Sequence, residues 1–544
     1  MKVAVAGAAG LSLPPEAITQ APGHATYNGI RLASPWPPNR RTFPDGPVTP
    51  PYLANPPDVI PIDVGRQLLV DDFLIERTTL ERHAHRPEYH TSNPVLSPTE
   101  GWEKHDEYAE RTNTRSNPSA MPFSDGVFYD PHDRLFKMWY MGGYSQNTCY
   151  ATSHDGISWN RPSLDVVPGT NITLSVHRDS STVWLDLSER DPNRRYKLGY
   201  SYDNYLVLLD SPDGIHWRQR GRTGRAGDRT TFFYNPFRRK WVFSIRGEVL
   251  GGGSRYRRYW EADDFITGAN WDPDTPVRWV AADNADKARP EYNVPAELYN
   301  LDCIAYESVL LGLFTIFRGE WMDREKPNDV CVGYSRDGFH WARPDRRAFI
   351  PVSEHVGDWN WANVQSAGGC CLIVGDKLHF YVSGRRGVPG TSEPGVCSTG
   401  LATLRRDGFV SMDDRDDARA ISRVDTQIPR GTLITRPVTF SGRFLFVNAR
   451  ITGELRVEIL DREGQPIDGF GAGRCAPLHG DGTRMAVLWE GGRDLSALAG
   501  RPVRFRFTLR NGELYAFWVS PATSGVSRGY VAAGGPGFSG PIDL

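Results

Sequence analysis

Hydrophobic positions along this chain fall in short runs, and almost none repeats with the period of a helix. Gln67–Ile75, Phe136–Met141, Tyr196–Tyr202, Trp241–Ile245, Leu311–Phe317 and Leu378–Val382 are rich in β-branched and aromatic residues, and clusters of Gly, Asn, Asp and Pro separate them. The pattern predicts an all-β body. Residues 1–60, with PWPPNRR and VTPPYLANPPD, carry little periodicity and read as an extended arm over that body or as a partly disordered segment. Beyond Thr426 the texture changes to strict alternation, in Arg443–Val447, Leu455–Leu460, Val503–Leu509 and Leu514–Val519, with turns at Asp461–Gly464 and Arg510–Gly512. In–out alternation of this kind predicts a two-sheet β-sandwich.

Between the arm and the sandwich a motif repeats. Ser153-His-Asp-Gly-Ile-Ser-Trp159 is matched by Ser211-Pro-Asp-Gly-Ile-His-Trp217 and Ser335-Arg-Asp-Gly-Phe-His-Trp341, with a worn copy at Arg405-Arg-Asp-Gly-Phe409. The Asp-Gly pairs begin at 155, 213, 337 and 407, so the gaps are 58, 124 and 70. The middle gap is twice 62, which predicts a hidden copy near 275, and Ala262-Asp-Asp-Phe265 with Asn270-Trp271 lies close by. Each Asp-Gly turn joins two strands and two more β runs precede it, so five units of four strands predict a five-bladed β-propeller. The expected divisions are an arm over 1–60, a propeller over 61–425 and a sandwich over 426–544.

Composition sharpens this picture. The 55 Gly and 41 Pro become blade turns and arm, and part of the 16 Trp becomes packing between blades. At 39% hydrophobic the chain can bury a large core, which excludes global disorder. Lys+Arg of 63 against Asp+Glu of 65, a net charge of −2, gives no reason to bind nucleic acid or membranes. No apolar run approaches the ~18 residues of a membrane span. Seven Cys without a CxxC framework suit reduced thiols, and the weakly apolar start MKVAVAGAAGLSLPP favours a cytoplasmic protein over a secreted one. An apolar sandwich face leaves room for a homo-oligomer contact.

A five-bladed propeller followed by a β-sandwich resembles the invertase and fructanase glycoside hydrolases and the related arabinanases and xylosidases of families 32 and 43. The phrases that carry the resemblance are Asn93-Pro-Val-Leu96, Phe136-Lys-Met-Trp-Tyr140, Tyr150–Trp159 and Leu514-Tyr-Ala-Phe517, spread over nearly residues 61–520. The resemblance implies a carbohydrate partner, cleavage or transfer of furanosides or related non-reducing-end sugars, and a pair of carboxylates in the axial cavity. The invertase signature WMNDPNG is absent, and Asp302-Cys303 stands where an invertase shows Glu-Cys. These departures keep a non-catalytic carbohydrate-binding propeller open. The Asp-box-like repeat keeps a sialidase-like enzyme open, against which five units instead of six count.

Inner strands of a propeller converge on its axis, so polar residues at their starts are the candidate site. They are Arg115 and Asn117 in the first unit, Asp179 in the second, Asp228 in the third, Glu297, Asn300 and Asp302 in the fourth, and Trp361 and Asn363 in the fifth. Glycoside hydrolysis needs one carboxyl group as acid and one carboxylate as base or nucleophile. Asp179 or Asp228 is expected as the ionised partner and Glu297 as the acid; bonding of backbone amides at a blade entrance is the alternative for both aspartates. Asp72 is the invertase-like nucleophile by its early position, with a turn-capping role as its alternative. Arg246 is placed to pair with Asp228, and Arg385 mirrors it in the fifth unit; both are candidates to bind substrate, with a structural ion pair as the alternative for each. Trp361 is expected to stack on a sugar ring. No cofactor is called for. The 13 His form no ligand constellation, and only a structural Ca²⁺, which leaves little sequence signature, stays open.

Overall fold

The computed structural model describes residues 25–112, 115–247, 254–292, 294–319, 323–414, 420–421, 425 and 427–544; the first 24 residues of the expected arm lie outside these. Five antiparallel sheets stand around a common axis. Blade 1 runs Ala120–Asp130, Leu135–Gly142, Thr148–Ser153 and Ile172–Leu174. Blade 2 runs Ser181–Leu185, Tyr196–Tyr202, Tyr205–Ser211 and Arg218–Arg222, and blade 3 Thr231–Asn235, Lys240–Gly247, Tyr256–Ala262 and Val277–Ala281. Blade 4 comprises Glu297–Glu307, Val309–Phe317 and Asn328–Ser335. Blade 5 comprises Asn363–Ser366, Leu372–Val374, Lys377–Arg385 and Cys397–Arg405. Its outer position is filled from far upstream: Glu88–Tyr89 pairs with Ala402 and Thr403, and Leu96 bridges Thr399, so the chain closes its own ring.

Inner and middle blade strands are packed on both faces by neighbouring blades. They therefore read as continuous apolar runs rather than alternating ones, as in Val309–Phe317, where every residue is buried. The outermost strand of blade 2, Arg218–Arg222, faces solvent and is correspondingly charged.

The repeated turn is a latch between blades. In each of the three close copies the Asp Oδ1 accepts the amides two and three residues on, while the Ser Oγ accepts the Gly amide. The turn then docks on the blade before it. Tyr381 Oη of blade 5 donates to the Gly156 carbonyl at 2.5 Å, and Trp139 Nε1 of blade 1 donates to that of Gly214 at 2.7 Å. Trp279 Nε1 of blade 3 donates to the Phe339 carbonyl at 2.7 Å. The hidden copy is Asp264, whose carboxylate accepts the amides of Ile266 and Thr267 at 2.9 Å. In the worn copy Asp407 accepts from Tyr306 of blade 4 at 2.5 Å and also binds Arg66 and Asn448 of the C-terminal layer.

That layer is built on two 17-residue strands, Phe444–Leu460 and Arg504–Ser520, paired along their length with register shifts at Asn448/Ala449 and Ile451/Glu454. Leu455, Val457 and Ile459 lie beside Leu509, Phe507 and Phe505 of the neighbouring strand, and all six belong to the second hydrophobic core. The expected boundary at 61 needs correction. Gln67–Leu68 pairs with Phe517 and Ala516, Ile75–Thr78 with Thr432–Thr435, and Glu81–Ala84 with Val410–Asp413. The first strands after the arm thus belong to the C-terminal sheet, and Leu69, Phe73 and Leu74 lie in its core. Alternation alone carries no record of a partner some 350 residues away.

The C-terminal tail crosses the end of the propeller opposite the starts of the inner strands. Tyr530–Val531 pairs with Tyr306 and Glu307, the Tyr129 amide donates to the Ala533 carbonyl at 2.9 Å, and the Ile373 amide donates to that of Gly534 at 2.9 Å. Where tail, blade 4 and sandwich meet, Glu307 is fully buried and accepts from the Arg66 amide, Arg406 and Ser527.

Candidate functional site

The inner strands begin at one end of the ring, and the residues just before them collect there. Asp179 precedes Ser181 of blade 2, Asp228 precedes Thr231 of blade 3, and Glu297 opens blade 4. Asp179, Asp228 and Arg246 line one open cleft of about 1170 Å³, whose far wall is formed by Asn39 and Arg40 of the arm. Arg246 pairs with Asp228 and Arg255 pairs with Glu297. Burial lowers the Arg246 guanidinium below its ordinary value, Arg255 adds to the effect, and Tyr299, Asp179 and Glu297 oppose it. That set of neighbours brings the entrance groups of blades 2, 3 and 4 into one electrostatic neighbourhood. The Asp179 carboxylate is half-buried and makes no hydrogen bond among the described residues.

The axis itself is packed rather than open. Asp302 accepts from Ser124 at 3.2 Å, Ser366 at 2.6 Å and Asn300 at 2.9 Å, and burial pushes its carboxyl up against the pull of Arg229 and Arg257. Arg257, fully buried and held by the carbonyls of Arg229 and Ser244, is pulled down to about 9 by burial. Asp125 pairs with Arg178 at 3.0 Å, both fully buried, and accepts from Ser181. Arg229 lies over the Phe123 ring at 3.9 Å and donates to Ser124 at 3.0 Å. One layer nearer the entrance, Arg385 pairs with Glu325 at 2.7 Å, with both side chains within 2% of full burial.

Several expectations are corrected by this placement. Asn300 and Asp302 do face the axis, but they bond to each other and to serines of blades 1 and 5 instead of lining open space. Asn363 is fully buried, donates to the Lys326 carbonyl and accepts from Gln365. Trp361 is buried under the Arg324 guanidinium, 5.1 Å from its ring, so no face is left for a sugar. Asn117 bolts two loops together, donating to Asp106 and accepting the Gly395 amide at 3.0 Å. Arg115 is exposed, in the loop before blade 1. Asp72 is exposed and paired with Arg82, among strands of the C-terminal sheet and away from the axis. Arg385 is committed to Glu325.

Asp125, Arg178, Arg229, Arg257 and Glu325 were not among the expected residues. A signal for the first of them lay in Met121-Pro-Phe-Ser-Asp-Gly126, where Pro and Gly interrupt an apolar strand. The structure has a bulge there, with Ser124 at φ 62° and Gly126 at φ 139°. Among the described residues no group of three or more His, Cys, Asp or Glu is placed to hold a metal ion.

No family model and no curated protein matches the chain. Among solved structures it is similar to an N-acetylgalactosamine deacetylase from F. plautii in complex with blood group B trisaccharide. The identity is 13% and the TM-score 0.37, over 58% of this chain and 97% of that one. It is similar to a thermostable family-43 glycoside hydrolase at 11% identity and TM-score 0.39, over 56% of this chain and 97% of that one. A fructofuranosidase from Schwanniomyces occidentalis complexed with fructosylnystose matches at 12% identity and TM-score 0.36, over 80% of this chain and 98% of that one. The chain's own strand pairing gives the five blades.

Proposed function

We propose that this protein is a glycoside hydrolase, acting at the entrance of blades 2 and 3 with Asp179 and Asp228 as its carboxylate pair. One observation carries the reading: two carboxylates from adjacent blade entrances line a single sugar-sized cleft, with an arginine fixing one of them. Arg246 pins Asp228 in position, which suits a group that must meet the anomeric carbon or its attacking water from a fixed direction. Asp179, uncommitted to any neighbour, suits proton exchange with the glycosidic oxygen. Glu297, engaged by Arg255, moves from the role of acid to that of a positioning neighbour. A furanoside or related non-reducing-end sugar is the substrate class implied by the resemblance to family-32 and family-43 propellers, and transfer to a second sugar would use the same pair.

A second reading is a carbohydrate-binding propeller without catalysis. It is favoured by the arginine pairing of both Asp228 and Glu297, which leaves one uncommitted carboxylate among the entrance groups. Reducing-sugar release from a panel of furanosides, pyranosides and oligosaccharides, with calorimetric binding on the same panel, separates the two. Turnover that Asp179→Asn and Asp228→Asn each lower by about 10²- to 10⁴-fold supports the hydrolase. Binding without turnover on every sugar supports the second reading.

A further inference from the structure

The cleft extends outward from Asp179 and Asp228 along a wall made by the arm, the loop that leads into blade 3 and the outer strands of blade 3, and that wall is cationic. Arg40, Arg225, Arg258 and Arg278 all line it. Among the described residues none of the four forms an ion pair with a carboxylate, although ion-paired arginines occur throughout this protein. Arg258 donates to the carbonyls of Pro273 and Pro276, and Arg278 to that of Arg41, so both are held in place by neutral acceptors, with Asp274 the carboxylate whose field reaches Arg258. Arg40 is half-buried, and burial lowers its guanidinium against only a distant pull from Asp337. Arg225 is exposed at the rim, beside His177. Opposing them on the outer wall are two exposed carboxylates, Asp203 and Asp274.

Four guanidinium groups against two carboxylates is a local excess of positive charge on a chain whose net charge is −2. Composition therefore does not account for it. Charge left unneutralised on the wall of a cleft focuses an anionic ligand into it. Guanidinium groups also match the planar carboxylate better than any other common side chain. We infer that the outer wall of the cleft is a subsite for a sugar carboxylate, and that the substrate is an oligosaccharide with a uronate next to the bond positioned at Asp179 and Asp228. This rests on the hydrolase reading for the identity of the bond, while the charge recognition stands on the wall itself.

The test is calorimetry on the full chain with galacturonate, glucuronate and mannuronate tetrasaccharides and their carboxyl-reduced neutral counterparts. A uronate is expected to bind at least about tenfold tighter than its neutral counterpart. The preference should shrink between about 0.05 and about 0.5 M salt. It should fall about tenfold in the Arg40→Gln/Arg225→Gln double variant and be only partly kept in Arg40→Lys/Arg225→Lys, which retains the charge and loses the planar fork. Equal affinity for charged and neutral sugars, or no binding of any uronate, overturns the inference. A sulfated neutral oligosaccharide that binds as tightly as the uronates overturns the carboxylate assignment. The two readings fail separately: turnover of neutral sugars with no uronate preference leaves the hydrolase without the subsite, and uronate-selective binding with no turnover leaves the subsite without the hydrolase.

Discussion

At the scale of single residues, chemistry and scaffold divide by commitment. Asp179 and Asp228 open onto the cleft, whereas Asp302, Asp125, Asn300 and Asn363 spend their hydrogen bonds on one another and on neighbouring blades. Asp72→Asn should accordingly leave turnover unchanged, while the amide at either cleft aspartate is expected to lower it. The buried Arg385–Glu325 pair is scaffold of a costly kind. Glu325→Ala leaves a guanidinium uncompensated in the interior and is expected to destabilise by about 3–5 kcal/mol in denaturant titration. One histidine imposes a pH dependence. Burial, with help from His90 and Lys377, pulls the His379 imidazole from 6.5 down to about 4. As pH falls from about 6.5 to about 4 the unfolded chain takes up a proton that the folded chain refuses, so stability is lost through that window, by up to about 3 kcal/mol. His379→Gln should flatten the midpoint-versus-pH curve there; an unchanged slope would refute the assignment.

What was legible at this scale follows from locality. An aspartate just before a β run at each repeat is visible in the sequence, and that placed Asp179 and Asp228 at the entrance. Burial is not local. Trp361 looked like a sugar platform until Arg324, distant in sequence, covered it. Asp125 carries no such entrance signal, because its Ser-Asp-Gly sits inside a strand bulge instead of at a turn between strands.

At the scale of elements, the Asp-Gly turn sets how blades stack. Its glycine serves two purposes, as Gly214 shows: it sits at φ 78°, and a Cβ there would come within 2.5 Å of the Trp139 ring of the preceding blade. Gly169 shares the conformation, at φ 80°, but has nothing within 4 Å. Gly169→Ala should therefore cost only the backbone term of about 1–2 kcal/mol. Gly214→Ala should cost a further ~1–3 kcal/mol from overpacking. Equal losses in chemical denaturation would show that the latch contributes nothing. The spacing of these turns made the five units countable, and even the hidden copy at Asp264 keeps the same amide-capping geometry. The closing strand of the ring was not countable, because residues 88–96 precede every repeat and pair only with the last blade.

At the scale of the whole molecule, chain order and spatial order part company at both ends. Residues 67–84 join the C-terminal sheet, and the tail around Tyr530 returns to the far end of the propeller. The two lobes thereby share a junction at Glu307, which holds the Arg66 amide, Arg406 and Ser527 in a dry environment. Glu307→Ala is expected to lower stability by about 3–5 kcal/mol and to split a single thermal transition into two; a single unshifted transition would mean that the lobes are coupled elsewhere. All seven cysteines are free and buried, so these contacts, with no covalent link, hold the ends in place. The arm is part of the same design, since Arg40 and Asn39 bring its backbone to the cleft and make it one wall of the site.

The role proposed for Asp179 is to carry the proton in glycosidic bond cleavage at the blade 2–3 entrance. Its most direct measurement is the rate of reducing-sugar release by wild type and by Asp179→Asn, on whichever sugar of the panel the wild type turns over fastest, with thermal midpoints taken on the same samples. A rate loss of about 10²-fold or more at an unchanged midpoint is the predicted result. A variant that matches wild type in both rate and midpoint would contradict the account.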